Sequence, residues 1–303
     1  MRSITRFVMA TAVAVLSGWV LGPGGASAVP VVISASEDIT KFGNLKQGDV
    51  TNCPRDACGP TSATNSFVFL QNTYSSAYDK SLIEHDPNNV NNDPYKDLVF
   101  TANKLTTDAY MRTCAVCGTF PDDFAVGKDR WINGFGNTPG HAPPTTRTVF
   151  KIEDEFAWGA GNPTLPDDRK TPPSYFRQMI PDGAFFLTEL RGLEDIEILL
   201  NGDPNHWVTV TSFSFTDTDG DGKFNDAETG TIGFIDPADG ANHFHAMKLN
   251  ATGEIIVDYR DNLTFSARIV SAESESVPEP GTLTLLIVGL VSLAAARRLR
   301  REA

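Results

Sequence analysis

Three side chains, far apart along the chain, have the types that acyl-transfer chemistry needs. Cys58 lies in Asp56-Ala57-Cys58-Gly59-Pro60-Thr61-Ser62-Ala63, where a tight turn opens onto a helical pattern. At a helix N-terminus the unpaired amides and the dipole favour an anion and lower a thiol pKa, as a cysteine nucleophile requires near neutral pH. His206 heads a strand-like run, Asn205-His206-Trp207-Val208-Thr209-Val210, and Asp236 ends another, Gly233-Phe234-Ile235-Asp236-Pro237. Together they would supply a thiolate, a base and a carboxylate that orients the base.

Between the histidine and the aspartate lies a second chemistry. Asp217-Thr218-Asp219-Gly220-Asp221-Gly222-Lys223-Phe224-Asn225-Asp226-Ala227-Glu228 meets the EF-hand loop pattern at each ligand position. Asp217, Asp219 and Asp221 fall at 1, 3 and 5, the Lys223 carbonyl at 7, Asn225 at 9 and a bidentate Glu228 at 12, with Gly222 at the sharp turn. Hard oxygen donors at this spacing close around Ca²⁺, and without a cation the clustered carboxylates repel one another. The expected cofactor is one structural calcium ion. Setting the loop aside brings His206 and Asp236 to the spacing of one β-hairpin, so the ion would brace the hairpin that carries both.

The elements that must position these groups follow from periodicity. Ala63, Phe67 and Leu70 recur at helical spacing after Cys58, and helices are also predicted over 94–111, 122–133 and 173–180. Residues 75–93 and 136–173 are rich in Asn, Asp, Gly and Pro and are predicted as loops, the second a surface connection near a substrate groove. Val31–Ser34 is a short β-branched run. Strands are then predicted at 184–190, 207–215, 230–235, 244–249 and 254–259, with a hairpin turn at 250–253. Helices first and an antiparallel sheet afterwards describe an α+β fold.

Both ends of the chain are addresses. Residues 1–28 carry Arg2 and Arg6, an apolar run from Phe7 to Leu21 and Ala26-Ser27-Ala28, the layout of a secretory signal peptide with its cleavage site. At the other end a polar, acidic spacer, Ser271–Ser276, precedes Val277-Pro278-Glu279-Pro280-Gly281, an apolar helix over 282–296 and the cluster Arg297-Arg298-Leu299-Arg300-Arg301. The apolar stretch is shorter than the roughly 20 residues of a usual membrane span, and the arginines hold its far end in the cytoplasm. This tail resembles the PEP-CTERM sorting signal of Gram-negative bacteria. The resemblance implies export, transient anchoring in the inner membrane, recognition by an exosortase, and delivery to the cell surface or its exopolysaccharide matrix. Setting aside Arg2, Arg6, Arg297, Arg298, Arg300, Arg301, Glu279 and Glu302 leaves 19 basic and 36 acidic side chains, a net charge of −17. Such a surface repels nucleic acid and anionic lipid, and no basic patch offsets it.

Cys-Gly-Pro at a helix start with a glutamine upstream, then His-Trp-Val-Thr-Val, then Ile-Asp-Pro, resembles the papain-like cysteine peptidases, in particular the double-glycine leader peptidases and their relatives. The resemblance covers about residues 45–240 of a domain spanning 29–270, with 271–303 as spacer and sorting signal. It implies a helical half carrying the nucleophile, an antiparallel sheet half carrying the base, and a peptide or protein substrate in the cleft between them. It makes Cys58 the nucleophile, His206 the general base and then acid, Asp236 the orienter, and Gln47 the side-chain donor of the oxyanion hole. Gln47 lies eleven residues before Cys58, farther than the family pattern leads one to expect.

The four cysteines, Cys53, Cys58, Cys114 and Cys117, also allow two disulfides or a four-thiolate zinc site in an exported protein. With Cys58 as nucleophile, either Cys114 and Cys117 bond each other and Cys53 stays free, or Cys53 bonds Cys114 or Cys117, the arrangement expected here. His85 and His141 fall in polar loops, and His243 and His245 share one face of a strand. Two function classes remain: a surface-delivered cysteine hydrolase braced by calcium, and a non-catalytic calcium-binding matrix or adhesion protein whose cysteines are in disulfides.

Overall fold

The computed structural model describes residues 29–75, 77–78, 80–113, 118–134, 182–201, 205–259 and 267–276, and the backbone of 151–156 and 176–177. Cys114, Cys117, His141, residues 1–28, expected as a signal peptide, and the tail beyond 276 lie outside these residues. The described residues hold nine strands: β1 Val31–Ser36, β2 Lys151–Phe156, β3 Phe176–Arg177, β4 Ile196–Asn201, β5 His206–Asp217, β6 Gly230–Asp236, β7 Ala241–Leu249, β8 Ile255–Val257 and β9 Ala267–Ser276. Four helices accompany them: α1 Cys58–Thr73, α2 Pro94–Leu105, α3 Pro121–Asn133 and α4 Gly183–Gly192.

The strands close on themselves. β5, β6, β7, β8 and β9 pair antiparallel in that order, and β4 pairs with both β9 and β5, so six strands form a barrel without free edges. β1 extends the second half of β5 outside the ring, while β2 and β3 extend β9. Two bulges, between Val210 and Ser212 against β6 and between Leu199 and Leu200 against β9, let the long strands bend as closure requires. The expected papain-like arrangement, a helical half facing an antiparallel sheet half, is therefore corrected to a closed antiparallel barrel on which the helices pack.

Two mistaken assignments hid the closure. Residues 184–190 were expected as a strand and form α4, because Asp182 caps the helix by accepting from the Phe185 N–H at 2.9 Å and Phe186 and Leu190 fall on one buried face. The acidic run 271–276, expected as a spacer, is the second half of β9, and its glutamates read as solvated although Glu273 and Glu275 are buried. β4 carries Glu197 in the same way. α2 stops at Leu105 instead of 111, where the Thr106 and Thr107 hydroxyls each donate at 2.7 Å to carbonyls three residues back and compete with the helix ladder. Backbone of the expected long connection and of the expected 173–180 helix appears as β2 and β3.

The barrel fills its interior with Ile198, Leu200, Val208, Val210, Ile232, Phe234, Val257 and Ile269, one face of each strand. The opposite face of β4, β5 and β6 presents Leu199, Trp207 and Ile235 to α1 and α3, where Phe67, Phe124 and Trp131 complete a second core. α1 is buried almost all round, including Thr61, Ser62, Thr64, Asn65 and Ser66.

Candidate functional site

Strand parity carries two of the predicted groups to one mouth of the barrel. His206 begins β5 on the same side as the inward Val208 and Val210, and Asp236 ends β6 on the same side as Ile232 and Phe234. Thr209 pairs with Ile235, which brings the ends of the two strands together. His206 Nε2 meets Asp236 Oδ1 at 2.7 Å, both side chains about nine-tenths buried.

α1 delivers Cys58 to the same mouth. The helix is pinned to β5 through Thr209, whose hydroxyl donates to the Ser62 carbonyl at 3.0 Å, and the adjoining Trp207 indole donates to the Thr119 carbonyl at 2.9 Å. Gly59 has no room for a side chain, since a Cβ there would lie 2.7 Å from the Thr119 hydroxyl. Cys58 is a free thiol, 6% exposed, and lies close enough to His206 to raise the pKa of its imidazole. With Nε2 engaged by Asp236, Nδ1 is the imidazole nitrogen left for the sulfur. The structure thus brings Cys58 beside the hydrogen-bonded His206–Asp236 pair.

The electrostatics follow from these contacts. Burial works against a charged imidazole, but the hydrogen bonds to Asp236 and Cys58 and their charges outweigh it and lift the His206 pKa to about 9. Burial likewise opposes the Asp236 charge, yet His206, the Tyr259 hydroxyl and the Ala238 N–H hold its carboxyl down at about 2. Near neutral pH the site therefore holds an imidazolium beside a carboxylate, poised to stabilise a thiolate.

A small pocket of about 80 Å³ opens on Cys58, walled by Gly118, Thr119, Phe120, Pro121, Leu199, Asn205 and Trp207. Gln47 is not among these residues. Its backbone N–H donates to the Pro237 carbonyl at 2.7 Å, beside Asp236, and its side-chain Nε2 donates to the Arg55 carbonyl at 3.4 Å while Oε1 has no partner among the described residues. Asn205, which lines the pocket beside Cys58, carries no sequence signal of its own beyond its place one residue before His206.

The loop between β5 and β6 is folded around its own carboxylates. Asp217 accepts from the N–H groups of Gly220 and Gly222 at 2.6 and 2.9 Å, and Glu228 accepts from Thr218 and Asn225 at 2.7 and 3.1 Å. Burial raises the Asp217 pKa, but these backbone donors outweigh it and the net shift is downward. Asp217, Asp219 and Asp221 each offer an oxygen within 4.8 Å of the others. Gly220 and Gly222 adopt φ of 80° and 74°, which the turn requires and a side chain would resist. Phe224 seats the loop on Phe213 and Phe215, its ring 5.9 and 5.3 Å from theirs. In the same loop the Lys223 N–H donates to Asp221 at 2.7 Å and the Asn225 side chain donates to Asp219 at 3.1 Å.

Of the other histidines, His85 pairs with Asp97, His243 with Asp239, and His245 with the Asp258 carbonyl. Cys53 is also a free thiol, its Sγ 3.5 Å from the Thr113 carbonyl; burial and the Asp56 carboxylate push its pKa up.

Comparison with known proteins bears on the tail. Residues 276–301 match the model of the PEP-CTERM protein-sorting motif. This marks the chain as an exported, surface-sorted protein handled by an exosortase. No family match supports the papain-like resemblance, and no curated protein matches the sequence. Among the described residues no helix is long and apolar enough to cross a membrane.

Proposed function

We propose that the protein is a surface-delivered cysteine hydrolase, most simply a peptidase, built on a closed barrel. The observation that carries this is the buried His206–Asp236 pair, bonded at 2.7 Å, with the Cys58 thiol beside the imidazole. The Cys58 thiolate attacks a substrate carbonyl carbon, and His206 gives its proton to the departing amine, leaving a thioester on Cys58. Water then adds to the thioester with His206 as base, the C–S bond breaks, and the acid product leaves with the thiol restored. Asp236 keeps the imidazole in place throughout. The N–H groups opening α1 face the developing oxyanion, and Gln47 joins them by turning from the Arg55 carbonyl, a bond long enough to be given up cheaply.

Iodoacetamide tests this reading on the native full-length chain. Rapid alkylation of Cys58 that is lost in His206→Ala supports it; a slow rate in both proteins, or a Cys58 disulfide in the mature protein, favours the non-catalytic matrix protein instead.

One calcium ion belongs to the same proposal. The site it would occupy is the β5–β6 loop, with Asp217, Asp219, Asp221, the Lys223 carbonyl, Asn225 and Glu228 as ligands. The fit rests on three carboxylates already converging and on Asp217 and Glu228 being buried at the loop's two ends. The ion would brace the hairpin from the end opposite the triad. Chelation is expected to lower the melting temperature of the wild type and to leave Glu228→Gln nearly unaffected; an unchanged wild-type midpoint counts against the ion.

A further inference from the structure

The Asp236 carboxylate is held at both oxygens. Oδ1 takes His206 Nε2 and the Ala238 N–H, each at 2.7 Å, and Oδ2 accepts from the Tyr259 hydroxyl at 2.7 Å. A carboxylate gripped on one side only swings about a broad terminal torsion. The Tyr259 bond is what fixes the second oxygen.

Tyr259 is itself well placed to do this. It follows β8, where its N–H donates to the Val257 carbonyl and the preceding Asp258 N–H donates to the Ala246 carbonyl of β7, both at 2.9 Å. Its ring is 7% exposed and lies along the His206 imidazole, centroids 5.7 Å apart and planes 22° from parallel. Phe234 and His245 back it, with ring centroids at 5.9 and 5.6 Å. The groups around His206 are thus Cys58 from α1, Asp236 from β6 and Tyr259 from the end of β8, with His245 of β7 beyond the tyrosine ring.

We propose that Tyr259 is a positioning residue of this site: its hydroxyl sets the plane of the Asp236 carboxylate so that Oδ1 stays on His206, and its ring walls the imidazole against rotation and water. This role rests on the hydrolase reading for its purpose, but it acts on His206 whether or not Cys58 reacts. Tyr259→Phe keeps the ring and removes only the hydroxyl.

The test follows the His206 imidazole by NMR in full-length protein labelled at histidine, assigned by its disappearance in His206→Ala. The wild-type midpoint is expected near 9. Tyr259→Phe should lower it by roughly half to one pH unit, because a carboxylate free to swing holds Oδ1 on the imidazolium less well. Asp236→Asn should lower it further, and Tyr259→Phe added to Asp236→Asn should change nothing more. A Tyr259→Phe midpoint within about 0.2 units of wild type overturns the proposal. So does a tyrosine effect that survives in the Asp236→Asn background, since it would then not act through the carboxylate. Cys58 alkylation on the same samples separates the two readings: a slow wild-type thiol with the expected imidazole shifts sinks the hydrolase alone, and a fast thiol with unmoved shifts sinks the positioning role alone.

Discussion

At the scale of single residues, Cys58 and Cys53 offer an internal comparison. Cys53 is the more exposed, yet burial and Asp56 push its thiol up, whereas Cys58 is buried against an imidazolium. Exposure alone predicts that an alkylating reagent takes Cys53 first; the site predicts the reverse, and mass spectrometry after brief labelling at pH 7 decides by which peptide carries the adduct. Gln47 poses a second question, because its partner at the Arg55 carbonyl is weak and its Oε1 is unpaired. As an oxyanion donor it should lose on the order of 10²-fold in kcat on Gln47→Ala with little change in KM. Asn205→Ala, which alters a wall of the pocket, should act mainly on KM, and the assignment fails if the two profiles are exchanged. Cys58, His206 and Asp236 were legible in the sequence because each sits at an element boundary with a marked neighbour. Tyr259 was not, since its role depends on barrel closure bringing the end of β8 to the end of β6, a contact that no local pattern announces.

At the scale of elements, the least legible feature is a buried ionic cluster that ties α3 to the barrel. Lys128, wholly buried, donates to Asp195 Oδ2 at 2.6 Å and Glu197 Oε2 at 2.7 Å; Asp195 accepts from the Glu275 N–H, and Glu275 accepts from the Tyr78 hydroxyl. Burial works against the ammonium, but these carboxylates outweigh it and raise its pKa. In sequence the acids of β4 and β9 look like solvent-facing charge, which is why both strands were missed and the barrel read as an open sheet. α1, α3 and the β5–β6 hairpin, by contrast, bury apolar faces with regular period and were found within a few residues. Lys128→Met strands buried carboxylates and is expected to cost about 3–5 kcal/mol at pH 7.5, as breaking one partner of a buried ion pair does. The loss should shrink at pH 5, below the raised values of Glu197 and Glu275, about 7 and 8, where these two carboxyls are protonated. Urea unfolding at both pH values checks this, and an equal loss at each contradicts the cluster.

At the scale of the whole molecule, these groups make stability fall with rising pH. Burial, reinforced by Asp195, raises the Glu37 pKa to about 9 and also raises Glu197 and Glu275, while Asp236 and Cys58 raise His206 to about 9. Each is higher in the folded than in the unfolded chain, so the folded state holds the extra protons. Their contribution is complete below the unfolded values, near 4.5 for the glutamates and 6.5 for the histidine, and is lost as pH rises towards 9. Asp236, held at about 2, contributes in the opposite sense, but its stabilisation is lost only as pH falls from the usual aspartate range towards 2. The excess of acidic side chains adds self-repulsion in the same alkaline direction. The melting temperature of the calcium-free protein should therefore peak in mildly acid solution and decline steadily from about pH 5.5 to 9, by roughly 2–4 °C for each kcal/mol lost. A flat or rising profile across that window would show that Glu37, Glu197 and Glu275 are not held above the ordinary glutamate range in the folded protein. Glu37→Gln isolates one contributor: lacking a charge to bury, it should flatten the alkaline half of the curve while leaving the acid half unchanged.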